Sequence, residues 1–436
     1  VVSLLSGQAD SMHAATVGTE QFVITANAAN SEIAVFDVSA SDGSLSALDN
    51  SAAVSTMGSS TPTAIEVVEA YGQSWVIVAG SGSNSLSVMG LRSDGRLIPK
   101  DHVLDTLNTR FESVQDLSVI EVNGRAFVVA GGSDDGVSLF TLTPNGKLVY
   151  LDSFADTLDS GLGNVQTVGL ADIGDELQVL ATSQQEPGLT QLSVSLANLG
   201  VVRDGSGPVL GTAQDDMLSA GVLEAQLSGG DGDDILIAGS GETTLTGGAG
   251  ADIFVMQYGS DPTTITDFEA GTDRLDMFDY LLLRTPDQLT FTATSQGADI
   301  QYLNEVVHVI SSTGAPLTKE EVFGSGFGGP DHIPVDFGTF GGLEPASSDG
   351  IQGRVSVDSE TANPGLADAE VKFTPTGGGT VTATTDETGR FDVNVPNGTL
   401  AGELEVVKTY STASGRVNAL DALQVLRISV GLDPTW

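Results

Sequence analysis

Along the first 200 residues, short apolar runs recur at a near-constant interval. Phe22-Val-Ile-Thr-Ala26, Trp75-Val-Ile-Val-Ala79, Phe127-Val-Val-Ala-Gly131 and Leu177-Gln-Val-Leu-Ala181 begin 53, 52 and 50 residues apart. Each leads through a polar turn to a second apolar run: Ile33-Ala-Val-Phe36, Leu86-Ser-Val-Met89, Val137-Ser-Leu-Phe140 and Leu192-Ser-Val-Ser195. Asp42-Gly43, Asp94-Gly95 and Asn145-Gly146 follow in the first three copies, and Asn123-Gly124 precedes the strand at Phe127. Such dipeptides tolerate positive φ and predict tight hairpin turns. The pattern predicts antiparallel units of about four strands, none able to bury both faces alone. Packed radially, units of this size form a β-propeller; a stacked sandwich array is the alternative.

From Gly211 the period shortens to nine. Gly229-Gly230-Asp231-Gly232-Asp233-Asp234-Ile235-Leu236-Ile237 and Gly247-Gly248-Ala249-Gly250-Ala251-Asp252-Ile253-Phe254-Val255 both read G-G-x-G-x-D-x-U-x, where U is a large apolar residue. Gly211-Thr-Ala213-Gln-Asp-Asp216-Met-Leu218-Ser keeps the Asp and apolar positions, and the two intervening nonapeptides are degenerate. Glycine opens backbone conformations closed to other residues and leaves carbonyl oxygens free for a cation; the Asp adds a hard carboxylate. Leu218, Leu236, Leu245 and Phe254 predict short strands stacked into a thin core. Asp216, Asp234 and Asp252 are 18 residues apart, while Ala225 and Thr243 hold the Asp positions between them.

These nonapeptides resemble those of the RTX (hemolysin-type) family. The resemblance implies a calcium-binding parallel β-roll in which one coil takes two nonapeptides. Calcium is then expected along one edge only, in about two sites between the three Asp-bearing turns. The candidate metal residues are Gly211, Ala213, Asp216, Gly229, Asp231, Gly232, Asp234, Gly247, Ala249, Gly250 and Asp252. Ile265-Thr-Asp267-Phe268-Glu-Ala-Gly271-Thr-Asp273-Arg274-Leu275-Asp276 resembles the segment that follows the roll in secreted RTX proteins, serralysin-type proteases included. It adds Asp267 and Asp273 as candidate ligands. The runs at Leu289–Phe291, Ile300–Tyr302 and Val307–Val309 resemble that family's capping strands, with His308 an outward strand residue. The serralysin resemblance covers only this part of the chain, so protease activity does not carry over.

Residues 324–348, rich in Gly, Phe, Pro and Asp, read as a linker. Beyond it, Ile351–Val355, Ala369–Phe373 and Phe391–Val393 resemble a carboxypeptidase-regulatory-like β-sandwich, which implies a spacing or presenting module. Gly415-Arg-Val417-Asn418-Ala-Leu-Asp421-Ala-Leu-Gln-Val-Leu426-Arg-Ile428 resembles part of a dockerin loop and its helix. Asn418 and Asp421 match two calcium positions there, but Tyr410, Thr412 and Ser414 replace the expected carboxylates. The fold class is therefore multidomain all-β with one short C-terminal helix. Its parts are propeller-like repeats (1–203), calcium roll and cap (204–323), linker (324–348), sandwich (349–407) and a partial dockerin-like segment (408–436). The propeller repeats resemble those of lactonases, in the stretch 127–148.

Composition narrows the partners. With 58 acidic and 16 basic residues the chain carries a formal charge of −42, which excludes a nucleic-acid footprint and disfavours anionic membranes. No apolar run is long enough to insert into a membrane. There is no Cys, so disulfides, thiol catalysis and zinc–thiolate sites are excluded. His13 and His102 in the repeats have no motif partner. Neither end has a leader or signal pattern, so both read as truncations of a longer product. The expected function is that of a secreted, extracellular, calcium-binding protein with a structural or cell-surface role and calcium-coupled folding. Other copies of itself, surface proteins or glycans are its candidate partners. The alternative is an extracellular lactonase- or phosphoesterase-like hydrolase with its site on the propeller.

Overall fold

The computed structural model describes residues 9–48, 50, 57–259, 262–280, 282–333, 335, 350–357, 369–375, 380–384, 390–394, 402–407 and 426–429. The protein is nearly all β. Each of the four apolar repeats forms the second strand of an antiparallel meander. The first meander orders β1 (Ser11–Val17), β2 (Glu20–Asn27), β3 (Glu32–Val38) and β4 (Leu45–Leu48). The second orders β5 (Pro62–Ala70), β6 (Gln73–Gly80), β7 (Ser85–Leu91) and β8 (Leu97–Leu104). The third orders β9 (Asp116–Val122), β10 (Arg125–Gly131), β11 (Gly136–Leu142) and β12 (Leu148–Ala155). The fourth has three strands, β13 (Val165–Asp172), β14 (Glu176–Ser183) and β15 (Thr190–Ser195).

The repeated strands are apolar on both faces because the sheets pack in series. Phe22 and Ile24 share a core with Val76 and Val78. Trp75 and Ile77 share one with Ala126 and Val128, and Phe127 and Val129 share one with Leu177 and Val179. Three equivalent hydrogen bonds clamp successive sheets. Ser31 Oγ accepts from Thr61 N (3.1 Å), Asn84 Oδ1 from Ser113 N (2.9 Å) and Asp135 Oδ1 from Asn164 N (3.0 Å). All six residues have positive φ, between 46° and 56°, a region that non-glycine residues seldom occupy. The repeat period thus carries a backbone device as well as an apolar stripe.

Where a last strand of the fourth meander would fall, β16 (Leu199–Leu210) turns into the first coil of a roll and pairs in parallel with β17 (Asp215–Asp231). One parallel stack continues from Met217–Ser219 of β17 through β18 (Ile235–Ile237). The other runs from the later part of β17 to β19 (Thr243–Ala249). The first stack adds β20 (Ile253–Val255), the second β21 (Thr263–Phe268), and β22 (Arg274–Asp276) completes the first. Leu218, Leu236, Phe254 and Leu275 lie in register as one column; Leu227, Leu245, Ile265 and Val309 form the other. All eight are buried in one core, among them Leu218, Leu236, Leu245 and Phe254, the four positions expected to stack. The roll is capped by β23 (Thr290–Ala293), β24 (Gly297–Tyr302) and β25 (Glu305–Ser311), with β25 parallel to β21. Helix α1 (Lys319–Phe323) follows, its N-terminus capped by Thr318, whose hydroxyl accepts from Glu321 N. Within the segment read as a linker, β26 (Asp331–His332) pairs with Val103 and Leu104 on the edge of β8.

A second unit contains β27 (Gly350–Val357), β28 (Glu370–Pro375), β29 (Val381–Thr384), β30 (Arg390–Asn394), β31 (Gly402–Val407) and β32 (Leu426–Ser429). They form two antiparallel three-stranded sheets, ordered β30-β27-β32 and β29-β28-β31, and Val371 and Phe373 are buried. The expected C-terminal helix is corrected over its described part: Leu426 pairs with Val357 and Ile428 with Val355. Leu426 and Ile428 are two positions apart, a strand period, and β27 offered an open edge. Asn418 and Asp421 lie outside the described residues.

Candidate metal centre

The turns that join the second stack of the roll to the first each end in an Asp. Asp216, Asp234 and Asp252 are 0%, 0% and 1% exposed, so the 18-residue register becomes a buried row. Asp234 Oδ1 accepts from Asp216 N (2.7 Å), and Asp252 Oδ1 from Asp234 N (2.9 Å). Asp273 extends the row: its Oδ1 accepts from Asp252 N (3.1 Å) and its Oδ2 from Glu269 N (2.7 Å). Each carboxylate is thus held by the main chain of the coil before it.

The second oxygens differ along the row. Oδ2 of Asp234 and Oδ2 of Asp252 are buried and have no hydrogen-bond partner among the described residues. Burial, reinforced by neighbouring carboxylates, pushes Asp234 up to about 8, Asp252 to about 7 and Asp273 to about 6. A stack of buried carboxyl groups with unused oxygens is an arrangement that a hard cation satisfies.

The glycines keep that space open. A Cβ at Gly229 would fall 1.9 Å from Asp234 Oδ2 and 2.6 Å from Gly247 O; one at Gly247 would fall 2.1 Å from Asp252 Oδ2. A Cβ at Gly211 would meet Gly229 O at 2.1 Å and Asp216 Oδ2 at 2.5 Å. Gly230 and Gly248 also require their positive φ of 123° and 112°. Carboxylate oxygens, glycine carbonyls and a cradle without side chains fit calcium, which takes about six to eight oxygens.

The remaining candidates divide. Asp267 faces the turn, with Oδ1 accepting from Gly247 N (3.0 Å) and Oδ2 from Gly248 N (2.9 Å). Gly232 and Gly250 carry the turns onward, and Gly232 N donates to Ala249 O (2.8 Å). Asp231, Ala213 and Ala249 are exposed, so the carboxylate of Asp231 does not join the buried row. On the opposite edge Ala225 stacks on Thr243, whose Oγ1 donates to Gly241 O (2.9 Å).

Sequence reasoning missed an outer rank of acids. Asp215 Oδ1 accepts from Asp233 N (2.9 Å), and Asp233 Oδ1 from Ala251 N (2.7 Å). The Asp-Asp pairs 215–216 and 233–234, 18 residues apart, were its signal. It also missed Arg125, whose Nη2 donates to Asp215 O at 2.6 Å from 90 positions away. In the meander region, Ser87 Oγ and His102 Nδ1 lie 2.8 Å apart, but both residues are buried and closed to a substrate.

Residues 209–311, under a quarter of the chain, match the family described as the peptidase M10 serralysin C-terminal domain. The matched segment is the roll with its cap. No curated protein matches the chain. Among solved structures, a candidate 6-phosphogluconolactonase from Bacteroides uniformis is similar at 15% identity, covering 44% of this chain and 59% of its own, with a TM-score of 0.32. An α-L-arabinofuranosidase from Clostridium thermocellum has 9% identity, coverages of 42% and 67% and a TM-score of 0.29. An endo-arabinanase from Bacillus licheniformis has 17%, 40% and 64%, also at 0.29. The chain spans less than two thirds of the first of these, and scores this low carry no argument about activity. What the comparisons establish is local: the segment that holds the carboxylate row is similar to the C-terminal domain of serralysins.

Proposed function

We propose that this chain is a secreted calcium-binding protein of RTX type with a structural or cell-surface role, whose roll folds together with its calcium. The unpartnered, buried Oδ2 atoms of Asp234 and Asp252 carry this reading. When bound, calcium supplies the divalent charge that offsets these carboxylates. Asp234 and Asp252 hold the row through their Oδ1 atoms and keep Oδ2 turned to the glycine cradle. The unfolded chain has no such arrangement, so binding adds directly to folding: about 2.7 kcal/mol per site when calcium is 100-fold above its Kd. Millimolar calcium outside the cell suits a chain that orders only after export. The stacked meanders, read as propeller-like, and the sandwich-like second unit are proposed as interaction modules toward surface proteins, glycans or other copies of the chain. Circular dichroism and calorimetry with and without calcium test the proposal. The chain gains order and thermal stability on calcium addition, and Asp234→Asn weakens that gain. A melting temperature unmoved by millimolar calcium removes the reading.

A further inference from the structure

The row is not uniform, and the difference begins with one residue of the repeat. Thr212 stands where the two full nonapeptides have Gly230 and Gly248. Its hydroxyl reaches both oxygens of Asp216, at 3.2 Å to Oδ1 and 3.0 Å to Oδ2, and its N–H also donates to Oδ2. Val201 N donates to Oδ1 at 2.6 Å. Asp216 is therefore fully engaged by the protein, whereas Asp234 and Asp252 each keep an oxygen without a partner.

A fixed charge lies at the same end. Arg125, on β10 of the third meander, is 5% exposed and reaches the roll through its bond to Asp215 O. Its Nε has no hydrogen-bond partner among the described residues. The bond to Asp215 O sets the guanidinium beside the peptide that leads into Asp216, the first carboxylate of the row. Burial pushes the guanidinium down, and Tyr71, Asp215, Asp216 and Asp234 oppose that shift. A guanidinium keeps its proton in proteins, so this cation is permanent.

We propose that Arg125 is a built-in cation that closes the Asp216 end of the row, so that calcium loads only from Asp234 onward, against Asp234 and Asp252. The inference rests on the calcium reading above. It makes the third meander part of the metal site: the sheet that carries Arg125 does at one end what calcium does along the rest. Removing that charge frees the head of the row for a further ion and strengthens its pull on divalent cations.

Titration calorimetry of the full chain with calcium chloride tests this. Asp234→Asn and Asp252→Asn each remove an ion or weaken binding by tenfold or more, about 1.4 kcal/mol. Asp216→Asn leaves stoichiometry and affinity within twofold. Arg125→Gln gains an ion or tightens binding about tenfold, and Arg125→Lys, which keeps the charge, behaves as the parent. Should Arg125→Gln fail to fold, Thr212→Gly is the second arm, expected to gain affinity because it removes the hydroxyl from the Asp216 carboxylate and leaves one main-chain donor on each oxygen. The proposal is overturned if Asp216→Asn costs as much as Asp234→Asn, or if neither Arg125→Gln nor Thr212→Gly changes the isotherm. Either result leaves calcium binding itself intact, whereas a folded parent chain that takes up no calcium overturns both readings.

Discussion

His332 Nδ1 lies 2.9 Å from Asp101 Oδ1, a buried pair that joins residues 231 positions apart. Asp101 sits on β8 and also accepts from Leu148 N (2.8 Å) and His102 N (3.0 Å). His332 stacks on Phe278 at 5.3 Å, and Asp276 of the roll is a third buried charge in its surroundings. The contact therefore fastens the chain that leaves the roll to the second meander.

This pair makes stability depend on pH. Burial lowers the His332 pKa, but Asp101 and Asp276 together more than offset it, so the folded value lies above the ordinary 6.5. A raised histidine contributes stability fully below its unfolded pKa and loses it as pH rises through the folded value. The parent chain should lose denaturant resistance on going from pH 6.5 toward alkaline pH, and His332→Gln should flatten that loss. Asp101→Asn, which strands a buried histidine, should cost roughly 3–5 kcal/mol at pH 6. A parent and His332→Gln with parallel urea midpoints across the range would contradict this.

The carboxylate row gives a second signature of the same sign, and this one is controlled by calcium. Burial raises Asp234, Asp252 and Asp273 to about 8, 7 and 6, so their ionised forms are disfavoured in the fold. Stability from a raised carboxyl is complete below its unfolded pKa, near 3.8, and disappears as pH rises through the folded value. In a chelator, melting temperature should climb as pH falls from 8 to 5. In millimolar calcium, which favours the ionised row, that slope should shrink or reverse. Differential scanning calorimetry in both buffers reads the effect; identical slopes would refute it.

Phe254→Ala should cost about 3–5 kcal/mol, because it empties a fully buried position in register with Leu236 and Leu275. Leu107→Ser, at a site 97% exposed, should stay within about 0.5 kcal/mol.

Gly248→Ala tests the backbone. Its Cβ would fall 1.8 Å from Gly230 O, at a φ of 112°. Strain of this kind costs roughly 1–3 kcal/mol before the clash is counted. We expect weaker calcium response together with lower stability, measured by thermal melts in calcium. A variant that melts with the parent would show that the turn can relax.

Much of the roll was legible because a coil places its neighbours at a constant separation. The 18 residues between Asp216, Asp234 and Asp252 are one coil, so a linear pattern reports a spatial stack directly. The same holds for Leu218, Leu236 and Phe254, and for the meander strands, whose 50-residue period reflects sheets that pack on one another. At the end of the segment expected to be helical, Leu426 and Ile428 are two positions apart and pair as a strand with the open edge of β27, which no local spacing announces.

The all-β class, the period of the repeats, the inward columns and the set of Asp residues that share an edge are all written in local spacing. Tertiary structure alone decided that Asp216 is saturated while Asp234 and Asp252 are not, and that Arg125 and His332 reach Asp215 and Asp101. The reason is physical. Repeats write short, regular separations into the chain, but burial, orphaned oxygens and counter-ions depend on which distant surfaces meet, and no local spacing encodes a contact across 90 or 231 residues.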